Sequence, residues 1–287
     1  MRAGLFVHDG GQDGFSQPPA PTKGAFRYLA PIAERPYAYC YEPTAGTTRS
    51  NYSWDVRMLP VADLRNESAA LSWQEDGIIL VTHGAPLVEL GDAEALRADW
   101  YERACDLIRD KTGARGAIVF DHTFRKNIRA GESTPECRPP VEQVHVDGVD
   151  HIAANFVRRH HPDAAERWLA GRWQIINIWR PLNQRVEDMP LGFCDGRGIR
   201  ADDLVPTDLL FPEGRRAITY QLNWREDHRW RYFSDMTAGE AVLFKCFDSA
   251  LDAPVRFVPH SSFRDARCAD AEPRKSVELR VLAYFGD

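Results

Sequence analysis

From Val141 to the C-terminal end, β-rich runs of four to ten residues alternate with turn signals, and this rhythm constrains the fold more than any other feature of the sequence. The runs are Val141 to Asp147, Arg172 to Trp179, Ala217 to Asn223, Arg229 to Ser234, Ala241 to Phe247, Val255 to Val258 and Ser276 to Phe285. Strands this short bury a face only by pairing in series and packing sheet on sheet, so the pattern predicts a sandwich or a barrel. The chain of 287 residues is long enough to surround a sizeable core.

The first half reads differently. Tyr37 to Tyr41 and Trp54 to Leu59 are strand-like, and Asp76 to His83 is an apolar run expected to be a buried strand. A helix is predicted over Ala93 to Thr112, because Asp92 can cap it, Leu96, Trp100, Ala104, Leu107 and Ile108 recur at helical spacing, and Gly113 stops it. Arg115 to Asp121 returns as a strand, Ile152 to His160 as a helix, and Pro162 starts a short helix through Leu169. The expectation is a single domain, 1–287. An α+β N-terminal portion (1–135) packs on a β core (136–287), with a junction near Gly131 to Pro140. Asp9 to Lys23, Asn183 to Pro190 and Asp195 to Gly214 read as loops, the first as a lid.

Composition removes other classes. With 36 Lys and Arg against 42 Asp and Glu, the net charge of −6 offers no drive toward nucleic acid. No apolar run approaches the ~18 residues of a membrane-spanning helix, and the N-terminus turns polar too early for a signal peptide. The six cysteines are widely spaced, without a C-x-x-C pair, and read as reduced thiols in a cytoplasmic protein.

The chemistry concentrates in His145-Val146-Asp147 at a strand end, where residues two apart share a face. His260 ends another expected strand, 115 residues on by the difference 260 − 145. Two histidines and one carboxylate with open positions suit non-haem Fe(II) and dioxygen activation. On the last strand Arg274 and Ser276 share a face and can grip one carboxylate of a dicarboxylate cosubstrate; Arg280 shares that face and competes for the role.

These features resemble the Fe(II)/2-oxoglutarate-dependent dioxygenases with a double-stranded β-helix, or jelly-roll, cupin-like core. Met58-Leu-Pro-Val61, Phe120-Asp-His122, His145-Val-Asp147, Gln174 to Leu182, His228 to Met236, Leu243 to Ser249 and Pro259-His260 are similar to the hydroxylase/desaturase family of bacterial and fungal secondary metabolism, with its AsaB-like and CmcJ-like proteins. The resemblance implies that His145, Asp147 and His260 ligate Fe(II) and that Arg274 with Ser276 anchors 2-oxoglutarate. It also implies dioxygen as co-reactant and ascorbate as a candidate reductant. The reaction would convert 2-oxoglutarate to succinate and CO2 while removing hydrogen from a C–H bond, giving hydroxylation, desaturation or cyclisation.

Other residues are weighed for the substrate pocket. Asn177 and Trp179 fall on one face of their strand and Arg180 on the other; Arg180 is either a substrate-carboxylate anchor or a structural ion pair. Tyr232 and Lys245 are polar candidates against ordinary strand packing, and Trp54 and Trp224 stand behind Trp179 as aromatic ones. His122 reads as structural, His151 as carried away by its helix, and His160-His161 as a solvated helix end. The partner expected is a small molecule, amino-acid-derived or otherwise polar, with polyketide or terpenoid substrates as the rival; the protein would be a monomer or homodimer. The competing readings are an iron-dependent oxidase that uses no 2-oxoglutarate, a non-catalytic metabolite-binding barrel, and a zinc hydrolase. The last is disfavoured among these.

Overall fold

The computed structural model describes residues 22–128, 137–265 and 271–286. Two β-sheets dominate it. In chain order the strands are β1 (Thr22–Leu29), β2 (Tyr37–Tyr39), β3 (Trp54–Asp63), β4 (Ile78–Thr82), β5 (Gly116–Lys126), β6 (His145–Val146), β7 (Trp173–Pro181), β8 (Leu191–Cys194), β9 (Leu204–Leu210), β10 (Arg216–Leu222), β11 (Trp230–Tyr232), β12 (Glu240–Asp248), β13 (His260–Ser262) and β14 (Lys275–Tyr284). Among the described residues one sheet runs β1-β3-β11-β8-β13-β6-β10-β9-β2 and the other β4-β12-β7-β14-β5. Pairing is antiparallel except for β11 with β3 and β2 with β9.

The helices are α1 (Trp73–Asp76), α2 (Ala93–Thr112), α3 (Asp150–His160) and α4 (Ala165–Ala170). In α2 the Asp92 carboxylate accepts from the Ala95 amide at 2.9 Å, and Gly113 takes the left-handed φ of 78° that ends the helix without a Cβ clash. Leu96, Trp100, Ala104 and Ile108 are its buried stripe, as the spacing predicts.

The core is divided by the smaller sheet. One cluster fills the space between the two sheets: Phe26, Phe193 and Trp230 come from one side, Trp179, Phe244 and Leu282 from the other. A second cluster packs the opposite face of the smaller sheet, through Ile176, Ile178, Leu243 and Leu279, against α2. The central strand β7 therefore buries both faces, and all nine of its residues are buried.

Several expectations change. The run Val141 to Asp147 pairs as a strand only over β6, and Val255 to Val258 is not a strand. Pro259, which has no N–H to donate, precedes the start of β13 at His260. Within the loop expected from Asp195 to Gly214 lies β9, a strand that Pro206 hides. Pro206 is tolerated because β2 reaches only Asp208 to Leu210, so no strand pairs with Pro206 on that side. The lid segment from Asp9 lies outside the described residues as far as residue 21; Thr22 and Lys23 already belong to β1. The junction falls partly outside as well, and in its described part Arg138 bridges to Arg125 in β5. Strands of the first half flank the later ones in both sheets.

Candidate metal centre

His145 and His260 are cross-strand partners, the only registered pair joining β6 and β13, so the ladder itself brings together residues 115 apart. Their rings lie 4.4 Å apart between centroids. Each Nδ1 meets a backbone carbonyl, Gln143 at 2.9 Å for His145 and Val258 at 3.1 Å for His260. Those bonds place the ring proton on Nδ1 and leave each Nε2 a lone-pair donor, the arrangement of metal-ligating imidazoles. His260 Nε2 is buried without a partner. Burial, then the adjacent His145, pushes His260 down to about 3, so this imidazole stays neutral and able to ligate.

Asp147 completes the set from the residue after β6, with its Oδ1 3.9 Å from His145 Nε2. Its Oδ2 accepts from Asn177 Nδ2 at 2.8 Å and from Arg280 Nε at 3.0 Å. Burial alone would raise this carboxyl, but the Arg280 guanidinium, helped by the Asn177 hydrogen bond, outweighs it and holds the group far below the usual carboxylate range. Gly148 follows by necessity: a Cβ there would stand 2.4 Å from the Cys246 carbonyl oxygen. The three candidate ligands are adjacent without being drawn to ligating distance. Among the described residues no set of three His, Cys, Asp or Glu side chains stands closed for a metal as it is. The donor chemistry nevertheless fits Fe(II): two imidazole nitrogens and one ionised carboxylate, with the His260 nitrogen orphaned in the interior.

Arg125, His145, Trp179, His260, Arg274 and Glu278 line one narrow cavity. Its free volume is about 10 Å³, so a dicarboxylate enters only if the lining side chains move apart. A hollow of about 560 Å³ bounded by Arg225, Glu226, Asp227 and Arg229 is larger, but it holds none of the candidate ligands. Arg274, 1% exposed, donates through Nη1 to the Met189 carbonyl at 2.6 Å and to Ser262 Oγ at 2.8 Å, and its Cζ lies 5.5 Å from the Trp179 ring. Its Nε and Nη2, with Ser276 Oγ, have no partner. Burial lowers this guanidinium to about 9. Arg280 is engaged instead: beyond Asp147 it donates to Asp121 at 2.9 Å, Thr123 at 3.1 Å and Glu278 at 2.8 Å.

The other candidates separate. Asn177 and Trp179 face the centre. Arg180 lies on the opposite face of β7, where it donates to the carbonyls of Ala85, Pro86 and Ala238 and stacks on Trp100, so it does not reach the cavity. Lys245 is buried in a separate network, donating to Val255 O at 2.8 Å and to Asp248 at 2.9 Å, beneath Trp73. Tyr232 packs edge-on against Phe263 in the core between the sheets. His122 binds Tyr101 Oη at 2.7 Å. Sequence reasoning missed Arg125 and Glu278; the period-2 count along β14 carries Glu278 onto the face of Ser276 and Arg280, and Arg125 is registered opposite Ser276.

Comparison with known proteins decides the family. A family model described as "Oxidoreductase/YMDC permease-like domain" matches residues 26–284. The Fe(II)/2-oxoglutarate-dependent dioxygenase nvfI of Aspergillus novofumigatus is 30% identical over 294 residues, covering 95% of this chain and 95% of that protein. The hydroxylase/desaturase CTB9 of Cercospora beticola is 30% identical over 266 residues, covering 85% and 81%. This chain belongs to the hydroxylase/desaturase family of Fe(II)/2-oxoglutarate-dependent dioxygenases. The solved structure of the iron and alpha-ketoglutarate-dependent endoperoxidase NvfI superposes with a TM-score of 0.84 at 25% identity, over 93% of this chain and 99% of that chain. By its family the chain is an oxidoreductase. No helix among its described residues is long and apolar enough to cross a membrane.

Proposed function

We propose that this enzyme uses Fe(II), 2-oxoglutarate and dioxygen to remove hydrogen from a C–H bond of a small secondary metabolite or amino-acid-derived substrate, at a centre held by His145, Asp147 and His260. The observation that carries the reading is the concentration of buried, unpartnered polar atoms around one cavity: His260 Nε2, Arg274 Nε and Nη2, and Trp179 Nε1, with Ser276 Oγ and Asn177 Oδ1 on the adjoining strands. Native interiors satisfy nearly all such atoms, so a cluster of exceptions marks a place for ligands.

Bound iron with its 2-oxo acid supplies the oxidising power, with succinate and CO2 as by-products. The chain supplies position. The carbonyls of Gln143 and Val258 fix the two imidazole tautomers. Arg280 and Asn177 occupy Asp147 Oδ2 and so aim Oδ1 at the metal position. Arg274 offers two free guanidinium nitrogens at the far end of the cavity, a match for the distal carboxylate, with Ser276 beside it; Arg125 adds a second cation. Phe244, 4.6 Å from the His260 ring between centroids, and Trp179 keep water from the buried side of the centre.

The architecture fits a double-stranded β-helix, one domain in which the N-terminal α+β portion and the later strands form common sheets. Cys40, Cys105, Cys194 and Cys246 form no disulfide, in keeping with a reducing, cytoplasmic setting. The test is succinate release by iron-loaded enzyme with a panel of small metabolites. Succinate in step with product supports the reading. Dioxygen consumption without succinate would replace it with an oxidase, and metabolite binding without dioxygen consumption with a binding barrel.

A further inference from the structure

A second group of orphaned polar atoms lies on the other side of β7, away from the metal centre. Arg180 is fully buried, and burial alone lowers it to about 10; no carboxylate pairs with it among the described residues. Its Nε donates to Ala238 O at 3.2 Å and its Nη2 to Pro86 O at 2.7 Å and Ala85 O at 3.3 Å, while its Cζ sits 4.7 Å from the Trp100 ring centroid. Arg180 Nη1, Trp100 Nε1 and His83 Nε2 have no partner. The His83 and Trp100 rings meet at 4.7 Å. Because His83 Nδ1 accepts from the Ala85 amide at 3.3 Å, the ring proton sits on Nε2. Burial, then Arg180, lowers His83 to about 4, so the ring is neutral at pH 7.

All three orphans are therefore donors, and one belongs to an uncompensated cation. A water there would leave the charge on Arg180 in place. An anion accepts from all three groups and neutralises Arg180. The nearest acid acting on His83, Glu240, already accepts from Arg65 and the Thr237 amide. Arg180 is 0% and Trp100 1% exposed, so whatever answers these donors is enclosed by the chain and must be small.

We propose that Arg180, Trp100 and His83 form a binding site for one small monovalent anion of halide size. The ion ties the chain segment at Ala85 and Pro86, together with α2, to the outer face of the strand whose inner face carries Asn177 and Trp179. The site is independent of the iron assignment, and its signature is stability.

The test measures thermal unfolding of the full chain in sodium bromide against sodium gluconate at matched ionic strength, with anomalous diffraction from bromide-grown crystals. Wild type should gain about 2–4 °C in bromide, and the anomalous peak should lie beside Arg180 and Trp100. Trp100→Phe keeps the ring and removes one donor, so its bromide response should shrink; Arg180→Met should abolish it, and if Arg180→Met does not fold, Trp100→Phe alone decides. A wild-type midpoint indifferent to bromide, a bromide response undiminished in Trp100→Phe, or a density peak without anomalous signal would overturn the proposal.

Discussion

Arg280 Nε donates to Asp147 Oδ2 at 3.0 Å, and through that bond the last strand governs the orientation of the carboxylate proposed as a metal ligand. Arg280 is itself fixed by Asp121, Thr123 and Glu278. Arg280→Gln should therefore weaken Fe(II) binding about 10–100-fold, as losses of groups that orient metal ligands do. Arg280→Lys should recover part of it. Anaerobic Fe(II) titration followed by tryptophan fluorescence gives the answer, and an unchanged affinity in Arg280→Gln would remove the positioning role.

Arg274 makes the contrasting prediction. Its Nε and Nη2 have no partner, and in the proposed role as cosubstrate anchor Arg274→Gln should raise the KM for 2-oxoglutarate on the order of 100-fold while leaving Fe(II) affinity near wild type. Steady-state succinate kinetics over a 2-oxoglutarate series separates the two arginines. If Arg280→Gln raised that KM and Arg274→Gln did not, their roles would be exchanged.

Gly148 carries a steric prediction. The Cys246 carbonyl oxygen would lie 2.4 Å from an added Cβ, and Phe247 Cβ 2.8 Å from it, so neither backbone nor core can yield cheaply. Gly148→Ala should destabilise the protein by about 2–4 kcal/mol and loosen the Asp147 position beside it. Guanidinium unfolding midpoints provide the measurement; a midpoint equal to wild type would show that β12 gives way.

His83 sets a pH dependence. Its folded value, about 4, lies below the ordinary 6.5, so the unfolded chain binds the proton more readily. The stability this neutral ring contributes is present above about pH 6.5 and is lost as pH falls toward 4. Unfolding midpoints taken between those limits should fall less steeply for His83→Phe than for wild type. Parallel slopes would mean the ring titrates alike in both states.

How much of this was legible in the sequence depended on whether a local pattern or a long-range contact did the specifying. The helix from Ala93 to Thr112 was readable because its cap, its stripe and its stop are all local. Asn177 and Trp179 facing the centre, with Arg180 facing away, followed from strand alternation in a segment that stays regular over nine residues. What Arg180 and Lys245 meet did not follow: both side chains are buried on the far side of the small sheet among partners scattered from residue 73 to 255. The strand β9 was concealed by Pro206, whose acceptability rests on how far a three-residue neighbour reaches. The saturation of Arg280 depends on Asp121 and Thr123, brought alongside by β5 pairing with β14.

The pairing of His145 with His260 has a consequence for the order in which the protein matures. No segment between them places these imidazoles together; they meet only when β13 joins β6. A chain that has formed α2 or the hairpin of β9 with β10, but not this late contact, has no competent ligand set. In the proposed assignment, an ion gripped there would act as a cross-link closing a loop of more than a hundred residues, so metal uptake would favour completion of the fold.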